Sequence, residues 1–192
     1  MTSMSLETKL EIRSDDVLQS ADFTYTQKKV AREKTMFEWF KEADKVFERY
    51  NYPCILAVLS EGIDREPEWV EYIKERQDRY VIDLHGSDHK YHRYAGMSEQ
   101  DLYDDLALAK EKIESTFNVE VKNWYVPFGR KARNPYGEKV CEKLGIKQWI
   151  PSGKVDAKLW FKWKAIPHVN FHYWYEPQVK DVENILNQLC QK

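Results

Sequence analysis

Long hydrophobic runs are missing from this chain of 192 residues: the longest aliphatic stretch, Cys54 to Leu59, is far short of the roughly 20 residues that span a bilayer. The amino terminus, Met1-Thr-Ser-Met-Ser-Leu-Glu7, lacks the basic-then-apolar order of a signal peptide. Both absences lead to the expectation of a cytoplasmic protein with no membrane partner. Cysteine is scarce. Cys54, Cys141 and Cys190 are odd in number and far apart, which excludes a disulfide framework and a cysteine-based metal site. An excess of one charge is also missing, since 30 basic residues meet 32 acidic ones for a net charge of -2 and the basic ones are scattered. No nucleic-acid partner is expected from that balance. Internal repeats and low-complexity tracts are absent too, so residues 1–192 are read as a single domain with room for a real core.

What is present is an alternation of strand and helix patterns. Leu10 and Ile12 alternate with charged residues up to Asp15 and Asp16, which predicts a first strand ending in two adjacent carboxylates. Leu18 to Lys34 shows no period and no glycine and reads as a long connection. Met36, Phe40, Ala43, Phe47 and Tyr50 then follow helical spacing behind a Thr35/Glu38 capping box. Cys54 to Leu59 predicts a buried strand, and Pro67 opens a helix with Trp69 and Ile73 inward.

Val81 to Leu84 predicts the next strand, which delivers His85 at its carboxyl end and His89 on the turn beyond. Two neutral imidazoles four residues apart, joined by one carboxylate, make a three-ligand set for zinc or a related divalent ion that leaves a position open for water. Ser98 and Asp101 start a helix striped by Leu102, Leu106, Ala109, Ile113 and Phe117. Val119 to Val126 predicts a strand running into Pro127-Phe128-Gly129-Arg130. Asn134-Pro135 then caps a helix with Tyr136, Val140 and Leu144 on one side, and Ile146 to Ile150 predicts another strand. From Ala165 to Trp174, Ile166, His168, Asn170 and His172 share one strand face. A last helix starts at Pro177, with Val179, Val182, Leu186 and Leu189 inward.

About six strand-helix alternations predict parallel strands joined by crossover helices, and a barrel-like arrangement is favoured over a doubly wound sheet. In a barrel, Asp15, Asp16, His85, His89, the Pro127 turn and His172 share the carboxyl-terminal face where such folds place their chemistry.

Asp-Asp at the first strand end, His-x-x-x-His at a middle one, x-Pro-Phe-Gly at a later one and a histidine at the last resemble the polysaccharide deacetylase family, carbohydrate esterase family 4 or NodB-homology domain. The resemblance runs from about Leu10 to Trp174 and implies a distorted β/α barrel of NodB-like type. It also implies a metal-dependent hydrolase that removes N- or O-linked acetyl groups from a carbohydrate. Carried over by position, Asp16, His85 and His89 bind one divalent ion, zinc by preference, and Asp15 is the general base. His172 is the general acid, since His168 lies four residues, roughly 13 Å, nearer the strand's start. Tyr125, Pro127, Phe128 and Gly129 form the substrate-binding or oxyanion turn.

Several positions depart from the family pattern. Arg13-Ser14 precedes the aspartates and Val17 follows them, and Gly86 stands where a Ser or Thr is usual. Tyr125 stands where the family has the Arg that orients the base, with Arg13 or Arg130 as substitute cations. For the family's Asp-Trp pair that tunes the acid, Asp156 and Trp160 are the nearest candidates, and Trp149, Trp160, Phe161 and Trp163 are candidates to stack on sugar rings. These departures leave two alternatives beside the deacetylase: a catalytically weak or inactive carbohydrate-binding member of the same fold, and an amidohydrolase acting on a small molecule.

Overall fold

A computed structural model of the chain describes residues 10–19, 34–90, 93–129, 133–150 and 168–190, with the backbone alone at 168. In order, the strands and longer helices are β1 Glu11–Val17, α1 Met36–Tyr50, β2 Cys54–Leu59, α2 Pro67–Lys74, β3 Tyr80–Gly86, α3 Glu99–Phe117, β4 Asn123–Tyr125, α4 Gly137–Lys143, β5 Lys147–Trp149, β6 His168–His172 and α5 Glu176–Cys190. All six strands are parallel and are ordered β5-β4-β3-β2-β1-β6. The two edge strands, β5 and β6, follow one another in the chain. That is the strand order of a barrel opened between them, and the sheet is a curled half-barrel with helices outside.

Strand parity explains the layering. Ile82 and Leu84 of β3 are buried toward the helices, while Asp83 and His85 alternate with them and face the barrel interior. In the same way Val169 and Phe171 of β6 join the apolar core, which places Asn170 and His172 on the opposite face. The predicted stripe of α3 is wholly buried, and that of α1 is buried at Met36, Phe40, Ala43 and Phe47. The capping box is present: Thr35 Oγ1 accepts from Glu38 N at 3.1 Å and the Glu38 carboxylate accepts from Thr35 N at 2.7 Å.

One buried carboxylate fixes where β3 begins. Asp44 of α1, 3% exposed, accepts hydrogen bonds from Tyr80 Oη at 2.6 Å, Tyr72 Oη at 2.8 Å and Arg79 Nη2 at 3.0 Å. It ties α1, α2 and the first residue of β3 into one unit, and β3 carries the histidines.

Three expected details change. The fourth strand is short, because the N–H groups of Val121 to Asn123 do not bond to a neighbouring strand, although the Lys122 carbonyl accepts from Lys147 N at 2.9 Å. Instead the Glu114 carboxylate accepts from Val121 N, and the Asp83 carboxylate accepts from Lys122 N and Asn123 N. Side-chain acceptors satisfy those donors, and no ladder is needed. Tyr136 precedes α4 and is 41% exposed, since Asn134 holds the turn by accepting from Tyr136 N at 2.8 Å and donating to the carbonyls of Tyr94 and Met97. On α5, Leu189 is 36% exposed and Ile185 takes its expected place in the core. Ile166, Pro167 and most of the Leu18–Lys34 connection lie outside the described residues. No described helix is long and apolar enough to cross a membrane.

Candidate metal centre

Adjacent strand residues normally face opposite ways, yet Asp15 and Asp16 are both buried at the carboxyl-terminal end of the sheet. The cause lies in the register. Arg13 and Ser14 pair with Ile55 and Leu56, whereas Val17 pairs with Val58, so β1 carries one extra residue there. Asp16 absorbs the irregularity with a left-handed φ of 63°, a conformation aspartate tolerates better than most residues. The neighbouring pair slips likewise, since Val58 pairs with Leu84 and Leu59 with Gly86, leaving His85 as the extra residue on β3. Two adjacent irregularities thus turn Asp16 and His85 toward one point.

Asp16 Oδ1 lies 3.1 Å from His85 Nε2 and 3.1 Å from His89 Nε2, and Asp16 Oδ2 lies 3.6 Å from His172 Nε2. The ligand atoms of Asp16, His85 and His89 all fall within 4.8 Å of one another. Donors at about 2.0–2.1 Å from a tetrahedral ion stand roughly 3.3 Å apart, and the two 3.1 Å distances are close to that, so the three residues could hold an ion. The tautomer fits as well. The Tyr125 carbonyl can only accept, and it lies 2.7 Å from His85 Nδ1, so Nδ1 donates to it and Nε2 is the nitrogen that faces the site. Burial lowers the pKa of His89 despite the opposing pull of Asp16, which keeps its ring in the neutral, ligating form. Burial acts to raise the Asp16 carboxyl, but His89 and His85 outweigh it and hold it well below the usual carboxylate range. Two imidazole nitrogens and an ionised carboxylate suit a divalent ion, zinc above the harder cations.

The loop carrying His89 is fastened from below. Arg93 bridges Asp88 at 2.8 Å and Asp105 of α3 at 2.6 Å, and Ser87 Oγ donates to Asp105 at 3.0 Å. Ser87 N donates to Tyr94 Oη at 2.8 Å. Tyr94 also accounts for Gly86, because a Cβ there would stand 2.2 Å from Tyr94 Oη and the backbone has φ +140°. The Ser or Thr usual at that position has no room.

Asp15 has a different environment. Arg13, 7% exposed, donates from Nε to Oδ1 at 2.5 Å and from Nη2 to Oδ2 at 3.1 Å, and Asn170 Nδ2 donates to Oδ2 at 3.1 Å. Burial alone would raise this carboxyl, but the charge and hydrogen bonds of Arg13 win and lower it. Of the two substitute cations, Arg13 therefore meets Asp15, while Arg130 lies outside the described residues. The Arg13 guanidinium also lies 4.0 Å from the Tyr125 ring centroid.

Val126-Pro127-Phe128-Gly129 closes a turn, with Gly129 N donating to Val126 O at 3.1 Å and positive φ at Phe128 (58°) and Gly129 (57°). The Phe128 ring packs 4.2 Å from that of His89, so the turn reaches the site through Phe128, whereas the Tyr125 ring is buried against Arg13. Strand register puts His172 opposite Asp15 and His168 opposite Glu11 at the far end of β1. Sequence reasoning missed Asn170, Asp105 and Gln178, which accepts from His172. Asn170 shares parity with His172 and was findable, whereas the other two carry no local signal. Trp149 ends β5 in register with Tyr125, but its side chain donates to Asn123 Oδ1 at 2.9 Å and lines a cavity with the strand starts. Asp156, Trp160, Phe161 and Trp163 lie outside the described residues.

The polysaccharide deacetylase family profile matches residues 33–149, more than half of the chain, and the chain belongs to that family. The matched range holds His85 and His89 but neither the aspartate pair nor His172. Among solved structures, the fold is similar to a CE4 family pseudoenzyme from Bacillus anthracis (TM-score 0.68, 11% identity, 95% of this chain and 60% of that one). It is also similar to a family 4 carbohydrate esterase from Bacillus anthracis (TM-score 0.63, 14% identity, 95% and 75%) and to one from Streptomyces lividans in complex with acetate (TM-score 0.62, 12% identity, 94% and 87%). The chain thus spans about three fifths of the pseudoenzyme's length, and at these identities the likeness is one of fold. No curated protein matches the chain.

Proposed function

We propose that this protein is a metal-dependent hydrolase that removes acetyl groups, N- or O-linked, from a carbohydrate. The observation that carries the reading is the convergence of Asp16, His85 and His89 beside a second carboxylate, Asp15, that Arg13 holds apart from them. A divalent ion held by the three, zinc by the nature of the donors, supplies a Lewis acid for the acetyl carbonyl and an acidified water.

The chain's own groups perform the proton transfers. Asp15, kept ionised by Arg13 and Asn170, takes a proton from the attacking water as its oxygen bonds to the acetyl carbon. His172, whose Nε2 faces Asp16, takes up a proton at that nitrogen from solvent and gives it to the leaving nitrogen or oxygen as the acyl bond breaks, releasing acetate. Phe128, whose ring packs 4.2 Å from that of His89, is the point at which the Pro127-Phe128-Gly129 turn would meet the entering acetyl group. The substrate class rests on family membership and on the two family 4 carbohydrate esterases of similar fold.

Measuring acetate released from acetylated sugars, N- and O-linked, tests the reading. Release by the zinc-loaded parent that is abolished in Asp15→Asn supports it, and no release from either class contradicts it.

A specific observation favours the second reading, a non-catalytic carbohydrate-binding member: Tyr125 occupies the position of the family's base-orienting Arg, and one protein of similar fold is a pseudoenzyme. Sugar binding and metal retention without turnover would support it. Arg13 weighs against it, because it supplies Asp15 with a cation from another strand. An amidohydrolase acting on a small molecule shares the same machinery and is separated by substrate alone.

A further inference from the structure

A peptide N–H can only donate, and this settles which atom of Gln178 meets the His172 ring. Gln178, in the first turn of α5, reaches back so that Oε1 lies 2.7 Å from the backbone N of His172 and 3.0 Å from its Nδ1. The backbone contact requires the amide oxygen at that place, which fixes the orientation of the Gln178 side chain. The same oxygen then accepts from the ring, so Nδ1 carries the proton and Nε2 is left facing Asp16. Trp174 packs against the ring with centroids 5.0 Å apart, and Tyr175 N donates to His172 O at 3.0 Å, holding the strand end against the helix. A simple helix-to-strand brace would need only the backbone bond. The second bond chooses a tautomer and a ring direction. A neutral amide does so without adding a third carboxylate beside Asp15 and Asp16.

We infer that Gln178 is a positioning residue for His172, holding the imidazole as its Nδ1–H tautomer with Nε2 directed at the Asp16 centre. The inference rests on the reading of His172 as the group that serves the leaving atom. Positioning partners of this kind typically matter by about 10–100-fold.

The test uses the zinc-loaded full chain with 15N-labelled histidine, at a pH where the ring is neutral. Long-range proton–nitrogen correlations of His172 report the tautomer in the parent, Gln178→Leu and Gln178→Glu. Gln178 is half-buried in the first turn of the helix, and melting temperature and zinc content check each variant's fold. The parent is expected to show Nδ1–H. Gln178→Leu is expected to shift the ring toward Nε2–H and to lower kcat by about tenfold or more with KM and zinc unchanged. Gln178→Glu, which keeps the acceptor, should retain Nδ1–H and kcat within about threefold of the parent. An Nε2–H ring in the parent, or a Leu variant that keeps both tautomer and kcat, overturns the inference. The tautomer is read without substrate, so absence of turnover in the parent bears on the deacetylase reading alone.

Discussion

The Arg13 guanidinium lies 4.0 Å from the centroid of the Tyr125 ring while gripping Asp15 through two hydrogen bonds. Tyr125 therefore supports both halves of the site, its ring under the cation that orders Asp15 and its carbonyl on Nδ1 of His85. The cation that the family supplies from the position of Tyr125 comes here from β1, and an aromatic face has taken the vacated place. Arg13→Met keeps the length of the side chain but leaves Asp15 buried without its partner. Breaking such a pair costs about 3–5 kcal/mol, whereas Tyr125→Leu, which removes a cation–π contact, should cost about 1–2 kcal/mol besides its packing. Denaturant unfolding at pH 7 measures both. An Arg13→Met loss under about 1 kcal/mol would contradict a structural ion pair.

Alkaline pH should unfold the protein through the Asp44 hub. Burial first, and then the Asp44 carboxylate, push the Tyr72 and Tyr80 phenols up from their ordinary value near 10. In the folded chain these phenols keep protons that the unfolded chain has lost, so the stability they give is full below about pH 10 and drains as pH rises past it. Melting temperature across that range is expected to fall more steeply for the parent than for Tyr72→Phe/Tyr80→Phe. Parallel curves would show that the two hydroxyls do not titrate as described.

The reach of the sequence can be judged at single positions. Stripes such as Leu102 to Phe117 and the parity of Val169, Phe171 and Tyr173 were legible because burial selects residue type at a fixed period. The convergence of Asp16, His85 and His89 was legible because each was read at or just beyond the carboxyl end of a parallel strand. Asp44 was invisible, being one acid among several on a polar helix face until Tyr72, Arg79 and Tyr80 fold onto it. The start of β4 was misplaced because Asp83 and Glu114, distant in sequence, take the N–H groups a strand would have paired. Gln178 fails for the same reason: its role is a contact made across a turn, not a pattern.

Restoring the family residue at one position should harm this protein. Gly86→Ser introduces a Cβ 2.2 Å from Tyr94 Oη at φ +140°, a conformation that costs a residue with a side chain about 1–3 kcal/mol. The melting temperature should drop, and a variant as stable as the parent would mean that the Tyr94 contact yields freely.

Asp15 and Asp16 are neighbours with different expected roles. Asp15→Asn should lower acetate release by about two to four orders of magnitude with the metal still bound, whereas Asp16→Asn should lose metal and turnover together. Wild-type turnover in Asp15→Asn would remove it as the base.

Zinc content tests the central claim most directly. Elemental analysis of purified parent, His85→Ala and His89→Ala proteins, each with its fold checked by circular dichroism, should give one zinc per chain in the parent and strongly reduced metal in both variants. Equal metal in all three, or none in the parent after zinc loading, would contradict the Asp16, His85 and His89 centre.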